Sequence, residues 1–327
     1  MFYVVKKRHT KRPTCGSRAV NSSSITGAHD AAPGSWPWFA VINLFVGGSS
    51  DVLGGSLIND QWVLTDAYAP TFYPSASISM VVYLGRNSRS GPSPNEVSRT
   101  VVNITCHPGF NSSTRENDIC LLKLSAPVNF TDYIRPICLA SQNSTFNNET
   151  SSWAIGFNFI GKTSNNLQEA NVPIVGNSEC KARYPWVPDS IICTRETASC
   201  LLSVGAPLMT QSGSAWLQSG LLIVLGCSGR PSTYTPVSQY QQWISDTVTG
   251  TPPGFVTFPS PDSSLQTTAP PTAPPTASPT APPTAPPTSP TCVAVFCSGE
   301  NLIHFTHFTS LCVLVVLLHV FAATVGN

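Results

Sequence analysis

The chain has 327 residues, a formal net charge of +1 and only 10% charged residues, and a balance this neutral excludes a nucleic-acid surface or a strongly acidic partner as its organising feature. Eleven cysteines and six N-x-[ST] sequons, at Asn21, Asn103, Asn111, Asn129, Asn143 and Asn148, point to the secretory route, where disulfides persist and sequons accept glycans. The length suits one all-β domain of about 200–250 residues with tails.

Residues 1–14 form an N-terminal segment. Met1 to Pro13 is basic but has no apolar run of about 7–15 residues, so no secretory leader is readable there. The reading is a first exon that is misassigned or missing, or an unusual route into the secretory pathway. From Cys15 to about Thr247, short apolar runs are separated by Gly, Pro, Asn and Ser, the pattern of an all-β barrel or sandwich. The clearest predicted strands are Trp38 to Phe45, Gly54 to Thr65, Met80 to Leu84, Val97 to Ile104, Ile119 to Leu124, Trp153 to Phe159, Val172 to Val175 and Trp216 to Leu225. No amphipathic helix is predicted before the end of this domain, drawn at 15–249. There, after Pro236, Val237, Tyr240, Trp243, Ile244 and Val248 recur at helical spacing.

Residues 250–291 turn to Pro, Thr, Ala and Ser, with a T-A-P-P repeat from Thr268 to Pro287. Such a stretch cannot bury a core and reads as an extended, O-glycosylated stalk or a plain linker; either is a spacer. Residues 292–327 carry Cys292, Cys297, Ser298-Gly299-Glu300-Asn301 and an apolar tail from Leu311 to Val325. The tail is shorter than the about 20 residues of a spanning helix and has no basic flank, so it reads as a glycosylphosphatidylinositol-anchor signal ahead of a transmembrane helix, with the modified residue near Ser298 or Gly299. The expected location is the extracellular face of the plasma membrane, lipid-anchored, with secretion as the alternative.

Within 15–248 several motifs fall in a specific order: Pro33-Gly34-Ser35-Trp36-Pro37-Trp38, Gly54-Gly55-Ser56-Leu57-Ile58, Trp62-Val63-Leu64-Thr65, Asn117-Asp118-Ile119-Cys120-Leu121-Leu122-Lys123-Leu124, Ile134-Arg135-Pro136-Ile137-Cys138-Leu139 and the run Cys200 to Leu208. As a set they resemble trypsin-like (chymotrypsin-fold) serine proteases, particularly the membrane-anchored prostasin or testisin type. The resemblance implies an all-β fold: two six-stranded antiparallel barrels with a cleft between them and a C-terminal helix over Val237 to Ile244.

The departures from the family pattern fall on its chemistry. Where the family carries C-x-G-D-S-G-G-P-L, this chain has Cys200-Leu201-Leu202-Ser203-Val204-Gly205-Ala206-Pro207-Leu208. Val204 stands at the nucleophile position and has neither a lone pair to attack with nor a proton to pass on. After Thr65 the family has A-A-H-C; here Asp66-Ala67-Tyr68-Ala69 puts Tyr68 at the general base, and a phenol ordinarily titrating near 10 is protonated at neutral pH. Asp118 keeps the third position without an imidazole to orient. Loss of the serine or histidine alone costs roughly a millionfold in such enzymes. Leu202 replaces the oxyanion-hole glycine, Ala198 stands at the base of the primary specificity pocket, and Ile223 to Leu225 is one residue shorter than the family's substrate-pairing strand. The activation peptide reads Ser24-Ile25-Thr26-Gly27-Ala28, and the aspartate that would take its new ammonium is Ser203, so both halves of that buried pair are gone. Asp66, alanine in the family, has no account beyond a hydrogen bond to local backbone.

The resemblance implies disulfides Cys15 with Cys138, Cys180 with Cys193, and Cys200 with Cys227. Two further family pairs are absent together: Leu53 and Ala69 occupy one, Ser152 and Thr210 the other. Cys106 and Cys120 are additional and can bridge neighbouring strands if their Cα atoms lie within about 7 Å. Cys292 and Cys297 could close a small loop, and Cys312 would leave with the anchor signal. The histidines, at 9, 29, 107, 304, 307 and 319, lie in no metal-ligand frame, so neither metal nor cofactor is expected. The expected function is an inactive protease homologue at the cell surface acting by protein binding. The alternatives are a trypsin-like endopeptidase and a structural, mucin-like surface glycoprotein. No motif names the protein partner or an oligomeric state.

Overall fold

A computed structural model of the chain describes residues 15–19, 28–72, 78–91, 93–158, 165–195, 201–226 and 230–258. The strands of its first half are β1 (His29–Asp30), β2 (Phe39–Val46), β3 (Ser49–Leu57), β4 (Trp62–Thr65), β5 (Ile78–Leu84), β6 (Val97–Cys106) and β7 (Cys120–Leu124). Those of the second are β8 (Cys138–Ala140), β9 (Ser151–Asn158), β10 (Gln168–Val175), β11 (Ile192–Thr194), β12 (Leu201–Leu202), β13 (Pro207–Ser212), β14 (Ala215–Val224), β15 (Ser232–Pro236) and β16 (Phe255–Val256). Three short helices, α1 (Tyr68–Phe72), α2 (Asn177–Arg183) and α3 (Gln241–Thr247), complete it, with a 3₁₀ turn over Val237–Tyr240 leading into α3.

Strands β2-β3-β4-β7-β6-β5 close into one antiparallel barrel. The second closes as β9-β10-β11-β15-β14-β13 and back to β9. Both expected six-stranded barrels are therefore present. Period-two patterning drives closure: in β5, Met80, Val82 and Leu84 point inward and are buried while their neighbours are not. The barrels meet through buried side chains that reach across, Trp38 Nε1 to Met209 Sδ at 2.9 Å and Ser56 Oγ to Gln218 Oε1 at 2.6 Å. The expected C-terminal helix lays Val237 and Ile244, both fully buried, on this core.

Several details differ from the sequence reading. The run Gly54 to Thr65 is two strands, because Asn59 Oδ1 accepts from Gln61 N and Trp62 N and turns the chain. The short helices α1 and α2 precede the C-terminal one; at five and seven residues they are too brief to show a helical period. Residues 249–258, most of them assigned to the stalk, dock on the domain. Trp62 Nε1 donates to Thr249 O, Leu139 N to Gly254 O and Ser141 N to Val256 O, and Phe258 stacks on Phe146 at 5.0 Å. The rest of the stalk and the 292–327 segment lie outside the described residues.

Disulfides Cys15–Cys138, Cys106–Cys120 and Cys180–Cys193 form, with Cα atoms 4.8, 4.0 and 6.1 Å apart. Cys106 and Cys120 are directly opposed on β6 and β7, which settles the pairing that spacing had left open. Cys200, Cys227, Cys292, Cys297 and Cys312 lie outside the described residues. At the sites without cysteine, Leu53 joins the core and Ser152 Oγ lies 2.9 Å from Thr210 Oγ1.

Candidate functional site

The loops expected to carry chemistry come together between the barrels. Strand β4 ends at Thr65, and Asp66, Ala67 and Tyr68 turn into α1. Two carboxylates satisfy the free N–H groups at the start of this helix. Asp66, one residue before the N-cap position Ala67, accepts at Oδ2 from Ala69 N at 3.2 Å. Asp118 Oδ1 accepts from Ala67 N at 2.6 Å and Tyr68 N at 3.0 Å. The hydrogen bond to local backbone expected of Asp66 is thus made, to Ala69 N.

Val204 sits in the turn after β12. Its carbonyl accepts from Gly54 N at 2.8 Å, and Gly54 O accepts from Thr65 Oγ1 at 2.8 Å, which stitches this turn to the end of β4. Gly205 follows at φ +84°, where a Cβ would fall on Thr65 Oγ1 and Gly54 O and within 2.9 Å of Asp66 Oδ1. Only glycine lets the turn approach this closely. Leu202 pairs with Phe157 through the backbone, and Ser203, buried, accepts from Phe157 N at 3.4 Å. Ala198, the expected floor of the specificity pocket, lies outside the described residues.

Arg115 completes the site, and the sequence reading did not single it out. It lies in the loop before Asp118 with φ +59°, in the left-handed region that non-glycine residues seldom adopt. Its guanidinium stands 3.9 Å over the Tyr68 ring, places Nη1 3.2 Å from Asp118 Oδ2 as an ion pair without hydrogen-bond alignment, and donates from Nη2 to Ile223 O at 2.9 Å. That carbonyl is available because the β14–β15 register shifts between Leu222 and Val224, leaving Ile223 as the extra residue of a bulge. The only sequence signal was an arginine three residues before Asp118, which means nothing until the loop is folded back.

The electrostatics follow from burial. Asp66 and Asp118 are both 0% exposed. Burial, and after it the charge of Asp118, pushes the Asp66 carboxyl up to about 7. Burial also pushes Asp118 up, against the Arg115 charge and the N–H groups of Ala67 and Tyr68. The single Arg115 guanidinium therefore does not offset burial at either carboxyl. Toward solvent, Tyr68 and Phe72 form an aromatic pair with ring centroids 5.8 Å apart, 38% and 63% exposed.

Among the described residues no group of His, Cys, Asp and Glu is arranged to hold a metal ion, and no helix is long and apolar enough to cross a membrane. Five sequon asparagines, Asn103, Asn111, Asn129, Asn143 and Asn148, are exposed, and Asn21 lies outside the described residues. In comparison with known proteins, the family model described as Trypsin matches residues 25–244.

Proposed function

The chain belongs to the trypsin family, and on that premise we propose that it is an inactive homologue of its proteases, of the membrane-anchored prostasin or testisin type, which acts at the cell surface by binding another protein. Membership alone favours an endopeptidase. What favours the other reading is Arg115: its guanidinium takes up Asp118, the Tyr68 ring and the Ile223 carbonyl together. A proton relay needs a base that can exchange a proton with a nucleophile while a carboxylate orients it. Here the carboxylate is engaged by two backbone N–H groups and an arginine, the neighbouring side chain is a phenol, and Val204 offers a hydrocarbon.

What the scaffold keeps is a double barrel that displays loops, and the Tyr68–Phe72 pair is an exposed apolar feature on one of them. The C-terminal segment would hold this head at the membrane through a lipid anchor, beyond a Pro/Thr-rich stalk. The test is incubation of the purified protein with a fluorophosphonate probe and with peptide libraries. Neither labelling nor turnover is expected. Labelling that is lost on prior unfolding, together with cleavage that survives repurification, would return the protein to the endopeptidases.

A further inference from the structure

Beside the cleft lies a cavity of about 300 Å³ walled by Glu116 and Asn117, by Ser190 and Ile191, and by Gln239 and Tyr240. This is the small end of the range for ligand pockets, about 300–1,000 Å³. The Glu116 carboxylate, Ser190 hydroxyl and Gln239 amide belong to exposed residues and make no hydrogen bond to another described residue, so the rim of the cavity presents acceptors and donors together to a ligand arriving from solvent. Arg115 also lines the cavity but its guanidinium is taken up by Asp118 and Ile223 O, so the remaining mixture suits a hydroxyl-rich, uncharged ligand.

The sequon residue Asn111 is the direct cross-strand partner of Glu116, and its N–H donates to Glu116 O at 3.0 Å. Directly opposed antiparallel residues put their side chains on one face, with Cβ atoms about 4.5–5.5 Å apart. Asn111 Oδ1 accepts from Ser113 N at 2.9 Å and Thr114 N at 3.2 Å. Its Nδ2, the atom an N-glycan is built on, has no hydrogen bond among the described residues, and the residue is exposed.

We propose that Asn111 carries an N-linked glycan whose first acetamido sugar seats in this cavity, against Glu116, Ser190 and Gln239. Attachment forms one bond from Nδ2 to the anomeric carbon of a lipid-diphosphate-linked donor, with loss of an amide proton and departure of the lipid diphosphate. Once attached, the sugar is held at high effective concentration, so weak contacts suffice. The seated sugar braces the loop in which Arg115 and Asn117 adopt φ +59° and +54°. The inference is independent of whether the protein is an enzyme.

The test uses the full chain sent through the secretory pathway of cultured cells by an added leader, with each site followed by glycopeptide mass spectrometry. Under native conditions peptide-N-glycosidase should release the Asn111 glycan about tenfold more slowly than those at Asn143 and Asn148, and the difference should vanish on unfolding. Ser113→Ala removes the sequon but keeps the backbone bonds of Asn111; amides 112–117 should then exchange about tenfold faster, and Ser113→Thr should restore both glycan and protection. Gln239→Trp, or Ser190→Phe if that variant does not fold, should fill the cavity and leave the Asn111 glycan as sensitive as the others. An unoccupied Asn111, native release as fast as at Asn143, or unchanged exchange in Ser113→Ala would each overturn the proposal.

Discussion

The hydroxyls of Ser152 and Thr210 face each other 2.9 Å apart on the paired strands β9 and β13, both side chains buried. Thr210 Oγ1 also donates to Ser219 Oγ at 3.0 Å, which in turn donates to Leu208 O at 3.2 Å, so the polar groups are chained to a backbone acceptor. The pair stands where the family resemblance places a disulfide. Ser152→Cys with Thr210→Cys should therefore oxidise without backbone movement and raise stability by about 2–4 kcal/mol, read as a shift in denaturant midpoint that dithiothreitol reverses. Either single cysteine should be neutral or mildly destabilising.

Removing Arg115 should be costly in a particular way. Its side chain is 13% exposed and Asp118 is 0%, so Arg115→Met strands a buried carboxylate and should destabilise by about 3–5 kcal/mol. Adding Asp118→Asn should recover much of that loss. Chemical denaturation of the four proteins in the cycle measures the coupling; a coupling energy near zero would mean that the guanidinium does not act on Asp118.

Stability should depend on pH through Asp66. Burial pushes its carboxyl up to about 7 in the fold, against about 3.9 for a free aspartate, so the native state holds a proton that the unfolded chain has already released between about pH 4 and 7. Stability then falls as pH rises through that window and levels off above it, and the raised Asp118 works in the same direction. Asp66→Asn keeps an oxygen for Ala69 N and should flatten the profile, gaining on the order of 1–3 kcal/mol at pH 8. Thermal melts of both proteins from pH 5 to 8 decide it.

Gly205→Ala tests the stitching of the Val204 turn. At φ +84° a side chain is strained, and its Cβ would collide with Thr65 Oγ1 and Gly54 O. A loss of about 2–4 kcal/mol in denaturant melts is expected, larger than for alanine at Gly213, which is also at positive φ but has nothing within 4 Å.

Placing a histidine and a serine at positions 68 and 204 should not by itself give a reactive nucleophile. Tyr68→His with Val204→Ser leaves Arg115 on Asp118 and on the Ile223 carbonyl, so the double variant should remain unlabelled by a fluorophosphonate. Weak labelling should appear only when Arg115→Ala is added. Labelling of the double variant itself would show that Arg115 does not obstruct the site.

The barrels were legible because most of their strands announce themselves: β2, β5 and β14 carry runs of apolar residues long enough to show a period or a continuous core segment. Strands β8 and β11 have three residues each, and β15 carries Ser, Thr and Pro, so their pairing rests on tertiary partners and not on local pattern. At the site, Tyr68, Asp118 and Val204 were found by their place in ordered motifs. Arg115 was not, because its importance arises from a left-handed backbone and a bulge more than a hundred residues further along the chain, neither of which leaves a mark in composition. Asp66 was legible only as a side chain bonded to local backbone, since α1 is too short to show which N–H would receive it.

Gly254 packs so closely on Cys15 that a Cβ there would strike its sulfur, while β16 runs alongside Cys138, the partner of Cys15. The first and last parts of the described body thus enter and leave at one corner. A mechanical load on either arm passes into the same disulfide-stapled knot, so tugging on the protein should strain that corner before it disturbs the turns bearing Tyr68 and Val204.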